Sequence, residues 1–186
     1  IVCSNTTKIT SAIMNQTSSD NLSSFLELFS KRPVIDNIGG IGLNHSYALW
    51  LELKKLNPKY VIESGVFQGF STWLIRSTLG PNVSIICIEP DLSNLIYKDP
   101  DAKYFNSDFS AIDWSFVNVS NTLCFFDDHQ NALMRLLHMK WWGFKHALFD
   151  DNYKPGKGDC LSIKKLLSSK GQSFVDESFP VKLTWK

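Results

Sequence analysis

Short apolar runs alternate with helical segments along the middle of the chain, and this alternation constrains the fold more than any other feature. The apolar runs cover residues 59–64, 83–90, 102–108, 122–128 and 145–151. Strands that are apolar on both faces and separated by helices pair in parallel through right-handed crossovers. The pattern therefore predicts a doubly wound α/β fold, with a mostly parallel central sheet and helices on both faces.

The pattern also divides the chain into segments. Residues 1–18 are polar and weakly patterned, which predicts a flexible N-terminal arm. Residues 19–186 form a single predicted domain. It begins with a helical extension or lid at 19–57, continues as the core at 58–170, and ends with a segment at 171–186 that contains a candidate last strand.

Composition and charge narrow the classes of partner. A chain of 186 residues with 44% hydrophobic content can bury a core as one domain. The 19 Lys+Arg and 18 Asp+Glu residues nearly balance, which gives no electrostatic reason to expect nucleic acid. No apolar run approaches the ~18–20 residues that cross a bilayer, so we expect no membrane span in this chain. The 4 cysteines lack zinc-site spacing.

Glycosylation sequons leave the cellular location open. They begin at Asn5, Asn15, Asn21, Asn44, Asn82 and Asn118, whereas the composition would give about two by chance. One interpretation is a glycoprotein of the secretory pathway, in the Golgi lumen or outside the cell. The other is a cytoplasmic protein from an organism whose proteins are rich in Asn and Ser.

Acidic residues stand where each predicted strand ends. They are Glu63, Glu89, Asp108, Asp127 with Asp128, and Asp150 with Asp151. Ligands of doubly wound sheets bind at the carboxyl ends of the strands, where these side chains would converge. Because crowded like charges are costly, we expect a ligand that is cationic or rich in hydrogen-bond donors to offset them.

The turn after the first strand is the most informative motif. It runs E-S-G-V-F-Q-G-F-S-T, from Glu63 to Thr72. Gly65 permits a tight turn and close approach of a ligand to the backbone, and Gly69 lets the next helix pack near the strand. Ser71 or Thr72 can help to cap the free N–H groups of that helix.

This turn resembles motif I of class I S-adenosylmethionine-dependent methyltransferases. It is closest to the subset found in catechol-type O-methyltransferases and in the cephalosporin-hydroxylase-like group, in which Phe67 can replace the usual middle glycine. The likeness continues through I-E-P-D, N-S-D-F, F-F-D-D-H and F-D-D-N, over roughly residues 58–165. The resemblance implies a Rossmann-like methyltransferase domain.

The resemblance also implies how the cofactor S-adenosylmethionine would be held. The backbone of the two turn glycines would lie against its methionine part, and Glu63 would help to hold its amino group. Glu89 would accept both ribose hydroxyls. Asp108 would receive the adenine amino group, with Phe109 beside the ring. The expected cofactor-binding residues are Glu63, Gly65, Gly69, Ser71, Glu89, Asp108, Phe109 and Asp127.

A divalent metal site is implied as well. Catechol-type enzymes hold their cation after strands four and five, where this chain has Asp127 and the pair Asp151 and Asn152. Such oxygen ligands suit Mg²⁺, Mn²⁺ or Ca²⁺. A neighbouring aspartate leaves the register open by one residue at both strands. The expected catalytic residues are Asp127 and His129, the latter as a general base. Alternatively, these carboxylates only cap loops or pair with cations such as Arg135.

Two functions follow from the resemblance. The first is S-adenosylmethionine-dependent methyl transfer to a small molecule, to a hydroxyl group and with help from a divalent metal. The alternative is a non-catalytic binding or scaffold domain of methyltransferase fold within a larger secretory-pathway protein. A complete class I domain has further strands after its fifth, and the segment after Lys170 is short for them. An unpaired sheet edge would favour a homo-oligomer.

Overall fold

A computed structural model describes residues 19–169 in full and the backbone of residues 173–176 and 179–184. The predicted N-terminal arm at 1–18 lies outside the described residues. Among the described helices, none has both the length and the apolar character needed to cross a membrane.

The centre of the molecule is a five-stranded sheet in which every pairing is parallel. Its strands are β1 (Tyr60–Ser64), β2 (Ser84–Ile88), β3 (Lys103–Phe105), β4 (Thr122–Phe126) and β5 (His146–Phe149). They lie in the order β3-β2-β1-β4-β5. The predicted fold class is therefore confirmed. The strand order reverses between β1 and β4, and a crevice forms at the carboxyl end of a sheet at such a reversal.

Helices cover both faces of the sheet. They are α1 (19–30), α2 (Leu43–Leu56), α3 (Phe70–Leu79), α4 (Ala132–Trp142) and α5 (Ile163–Ser168). Local residues set the bounds of α4. The Asn131 side chain accepts hydrogen bonds from the N–H groups of Leu133 and Met134 at its start, and Gly143 adopts a left-handed conformation at its end.

Alternate residues of each strand feed two apolar layers. On one face, Val61 and Leu123 belong to the same cluster as Phe25 of α1 and Trp50 of α2. The helical segment before β1 is thus built into the core. On the other face, the cluster includes Ile62, Phe109, Trp114, Phe126 and Phe144. Burial on both faces explains why these strands are almost continuously apolar in the sequence.

The C-terminal segment differs from the single last strand that the sequence suggests. It contains two strands, β6 (Ser173–Asp176) and β7 (Phe179–Thr184), which pair with each other in antiparallel fashion. They form a sheet separate from the central one. Their short connection favours local pairing. Among the described strands β5 pairs only with β4, so β5 is an edge strand.

A buried ion pair joins α3 to the segment before β3. Arg76 Nε donates to Asp99 Oδ2 at 2.7 Å, and Arg76 Nη2 donates to Asp99 Oδ1 at 3.2 Å. Arg76 also donates to the carbonyl groups of Gly80 and Val83, which ties the end of α3 to the start of β2. Burial opposes ionisation of Asp99, but the hydrogen bonds from Arg76, the Asp101 N–H and Tyr97, together with the charge of Arg76, outweigh it and lower the pKa of the carboxyl group.

We predict that Asp99→Asn destabilises the protein. The substitution leaves the Arg76 guanidinium, whose side chain is 14% exposed, without its counter-charge. The free energy of unfolding should fall by about 3 kcal/mol, measured by urea denaturation at pH 7. Asp101→Asn, at an exposed position of the same loop, is the matched control and should change stability little. Equal stabilities for the two variants would contradict this role of the ion pair.

Candidate functional site

The parallel register brings the acidic strand ends to one rim of the sheet. The N–H of Asp127 donates to Ser64 O at 2.8 Å, and the N–H of Glu89 donates to Phe105 O at 2.9 Å. The ladder of hydrogen bonds thus continues one residue beyond each strand. Side chains that follow different strands are therefore held at the same level.

A cavity of about 580 Å³ opens at this rim, and a second of about 410 Å³ adjoins it. Gly39, Gly40, Asp127 and His129 line both cavities. The walls of the first also include Gly65, Phe67, Glu89, Asp108, Asp128 and Arg135. The walls of the second also include His45, Asp150, Asp151, Asn152, Tyr153 and Lys164. The site is therefore a cleft of ligand size joined to a polar side chamber.

The residues expected to bind the cofactor divide into two groups. Four line the larger cavity: Gly65, Glu89, Asp108 and Asp127. Four lie behind its wall: Glu63, Gly69, Ser71 and Phe109. Phe109 is fully buried in the core and does not line the cavity. Glu63 is fully buried as well, because strand alternation directs its side chain toward α3.

Both glycines of the turn after β1 are required by close backbone contacts. Gly65 has a φ of +91°, and a Cβ atom there would lie 1.9 Å from the carbonyl oxygen of Asp127. Gly69 has a φ of +85°, and a Cβ atom there would lie 2.0 Å from the carbonyl oxygen of Tyr97. Only glycine fits at either position, and Gly65 lets the ends of β1 and β4 meet.

Glu89 organises this turn through its carboxylate. Its Oε2 accepts hydrogen bonds from the N–H groups of Val66 and Phe67 at 3.0 and 2.9 Å, and its Oε1 accepts one from Asp91. Phe67 stands where the commonest form of the motif has glycine, and its φ of +50° is in the left-handed region that glycine favours. A carboxylate has about four acceptor sites, so Glu89 retains capacity toward the cavity.

A buried arginine holds two of the rim carboxylates. Arg135 of α4 donates to both oxygens of Asp108, at 3.0 and 2.6 Å, and to Asp128 at 2.9 Å. The Ser64 hydroxyl also donates to Asp128. Burial raises the pKa of Asp108, but hydrogen bonds from Arg135 and Ser110 outweigh it and hold that pKa well below its usual range. The sequence offered Arg135 only as one alternative partner.

A third group of side chains could hold a cation. Asp127, His129 and Asp151 each offer one ligand atom, and these atoms lie within 4.8 Å of one another. The backbone N–H of His129 donates to Asp151 Oδ2 at 2.8 Å, and Nδ1 of His129 lies 3.0 Å from Asp159 Oδ1. Burial, followed by the nearby carboxylates of Asp150 and Asp151, raises the pKa of Asp127 to about 8.

The structure separates the neighbouring aspartates whose register the sequence left open. Asp127 joins the potential ligand group, whereas Asp128 pairs with Arg135. Asp151 joins it, whereas Asp150 Oδ1 lies 2.7 Å from Nδ1 of His45. Asn152, the other expected ligand, lines the same side chamber, and its Oδ1 accepts a hydrogen bond from the backbone N–H of Lys164.

Comparisons with known proteins place this geometry in a structural class. No protein-family model matches the chain, and no curated protein matches it. Methyltransferase PaMTH1 of Podospora anserina, bound to S-adenosylhomocysteine, matches with a TM-score of 0.51 and 13% identity over 81% of this chain and 72% of that one. A Klebsiella pneumoniae protein assigned as an O-methyltransferase matches with a TM-score of 0.51 and 13% identity over 90% and 76%.

A structure of CmcI with S-adenosylhomocysteine also matches, with a TM-score of 0.47 and 15% identity. The match spans 60% of this chain and 62% of CmcI, which is less than two thirds of that protein. The two fuller matches show that the chain has the fold of class I S-adenosylmethionine-dependent methyltransferases.

A buried carboxyl group lies beneath the glycine turn. Glu63 Oε2 accepts hydrogen bonds from the Thr72 hydroxyl at 2.6 Å and the Cys87 thiol at 3.6 Å. Its Oε1 has no partner among the described residues. Burial raises the pKa of Glu63 to about 7, against the opposing effect of the nearby Ser71 and Thr72 hydroxyl groups. At a pH between these values, about 4.5 for the unfolded chain and about 7 for the folded protein, the folded state therefore retains a proton that the unfolded chain has lost.

We predict that Glu63→Gln flattens the pH dependence of stability. Between about pH 4.5 and pH 7 the folded protein holds a proton on Glu63 that the unfolded chain releases, so the free energy of unfolding falls as pH rises. Glutamine cannot ionise. Relative to the wild type, the variant should gain about 1–3 kcal/mol from pH 5 to pH 8 in urea unfolding of the ligand-free protein.

The control for this prediction is Glu27→Gln, at an exposed carboxylate paired with Lys31. It should leave the shape of the pH profile unchanged. Parallel profiles for wild type and Glu63→Gln would show that Glu63 does not carry the raised pKa.

Proposed function

We propose that this chain transfers a methyl group from S-adenosylmethionine to a hydroxyl group of a small molecule. One observation carries the proposal. The 580 Å³ cavity at the strand-order reversal is lined by the Gly65 turn, Glu89 and Asp108 together, in a chain with the fold of S-adenosylmethionine-dependent methyltransferases. The resemblance assigns these residues to successive parts of one cofactor.

The cofactor would lie along the larger cavity. Gly65 allows its methionine part to approach the backbone, Glu89 accepts from the ribose hydroxyls, and Asp108 accepts from the adenine amino group. Arg135 keeps the Asp108 carboxylate ionised and in place. Behind the wall, Glu63 supports the turn through Thr72. Gly69 and Ser71 form the start of α3, and Phe109 supports the adenine end by packing.

The donor set beside the cavity fits a divalent ion. Asp127 and Asp151 offer carboxylate oxygens, and the imidazole of His129 completes a compact group. Such an ion would lower the pKa of an acceptor hydroxyl. Because Asp127 and His129 line both cavities, they would stand between the cofactor and the acceptor. The acceptor would occupy the side chamber.

The side chamber also offers a proton acceptor. When Nδ1–H of His45 donates to Asp150, at 2.7 Å, the lone pair on Nε2 is free. Because His129 is assigned to the ion, His45 and not His129 would take the hydroxyl proton while the acceptor oxygen bonds to the methyl carbon. The electron pair of the breaking carbon–sulfur bond would stay on sulfur and give S-adenosylhomocysteine. The remaining work of the protein is to align the two reactants.

We predict that the protein binds S-adenosylhomocysteine, with a Kd in the micromolar range by isothermal titration calorimetry. Glu89→Gln should weaken binding at least tenfold, because hydrogen bonds to a charged acceptor contribute about 1.5–3 kcal/mol. Glutamine keeps an acceptor for the N–H groups of Val66 and Phe67, so the turn should persist. Glu27→Gln is the matched control. No heat from a folded protein at high micromolar ligand would favour the scaffold alternative.

We predict that His45→Gln slows methyl transfer and leaves cofactor binding intact. The assay follows S-adenosylhomocysteine formation with a panel of catechols, phenols and sugar alcohols. The rate should fall about 10²–10⁴-fold with any acceptor that the wild type uses, as for loss of a general base. His146→Asn, at an exposed position, is the control. Full activity of His45→Gln would assign the proton transfer to another group.

A further inference from the structure

The amide of Asn152 is already engaged outside the potential ligand group. Its Oδ1 accepts a hydrogen bond from the backbone N–H of Lys164, at 2.9 Å, near the start of α5. This bond occupies one of the two lone pairs of the oxygen that a metal ion would need, and it ties the amide to another segment of the chain. His129 offers a different third ligand, because its ring nitrogen lies within 4.8 Å of carboxylate oxygens of Asp127 and Asp151.

The backbone and two acidic neighbours hold His129 in this position. Its φ is +53°, a left-handed conformation that is uncommon outside glycine and is often found at functional sites. Its own N–H donates to Asp151 Oδ2, so one residue of the group positions another. Asp159 lies 3.0 Å from the ring nitrogen Nδ1. Carboxylates that orient a metal-binding histidine make contacts of this kind.

We propose that His129, and not Asn152, is the third protein ligand of a divalent ion held by Asp127 and Asp151. The site would then favour ions of the Co²⁺ and Zn²⁺ type, which accept imidazole nitrogen, more strongly than an all-oxygen site does. Mg²⁺ and Ca²⁺ prefer oxygen ligands alone. The inference rests on the proposed function, since it names the ion class of the same site.

The test compares metal binding to the metal-stripped protein without cofactor. Zn²⁺ and Mg²⁺ are titrated separately by calorimetry, and Co²⁺ by its visible absorption. Zinc binds most nitrogen- or oxygen-containing sites more tightly than magnesium, so the variants carry the decision. His129→Asn is informative because asparagine tolerates the left-handed backbone and supplies oxygen in place of nitrogen.

We expect one Zn²⁺ per chain at this site in the wild type. His129→Asn should weaken Zn²⁺ binding at least tenfold and change the Co²⁺ spectrum, while Mg²⁺ binding stays the same or strengthens. Asn152→Ala should leave the Zn²⁺ affinity within about twofold of the wild type, since that amide is not a ligand. His146→Asn removes an exposed histidine and controls for surface binding.

Three results would overturn the proposal. They are unchanged Zn²⁺ binding in His129→Asn, loss of Zn²⁺ binding in Asn152→Ala, and absence of saturable binding in the wild type. S-adenosylhomocysteine binding, measured in metal-free buffer, reports on the proposed function separately. A protein that binds the nucleoside product but no zinc would therefore refute the ion assignment alone.

Discussion

The close approach of the β1 and β4 ends is the constraint on which the rest of the site depends. Asp127 donates its N–H to Ser64, and its carbonyl oxygen occupies the space that a side chain on Gly65 would need. This contact occurs where the strand order reverses, so the adjoining crossovers diverge and leave a cleft. Any residue larger than glycine would separate the two strand ends and displace the carboxylates that follow them.

The acidic rim consists of a compensated part and an uncompensated part. Glu89 is surrounded by backbone N–H donors, Asp108 is held by Arg135, and Asp150 is paired with His45. At Asp127, burial and the nearby carboxylates of Asp150 and Asp151 raise the pKa despite the opposing effect of His129. The electrostatic reason to bind a cation is therefore concentrated where the two cavities meet, and not along the whole rim.

The sequence predicted the sheet well, because strands buried on both faces leave continuous apolar runs that end in polar residues. The side-chain positions at the site were less predictable. Glu63 and Phe109 occur in the expected motifs, but whether a side chain faces the cleft or the core depends on tertiary packing. The proposal of His129 in place of Asn152 as a ligand likewise depends on a left-handed residue and on a hydrogen bond to the backbone of Lys164. The spacing of apolar residues, from which the strands and helices were predicted, contains no information on either feature.

The segment before β1 supplies part of the wall of the side chamber. Gly39 and Gly40 line both cavities of the site, whereas His45 lines the side chamber and not the larger cavity. Glu89 and Asp108, by contrast, follow the strands of the central sheet. The side chamber therefore combines residues that precede β1 with residues that follow β4 and β5, such as Asp127 and Asp151. For the proposed methyl transfer, natural variation at His45 would change the acceptor side and leave Glu89 and Asp108 in place, which would let one scaffold diversify its chemistry by changes upstream of the first strand.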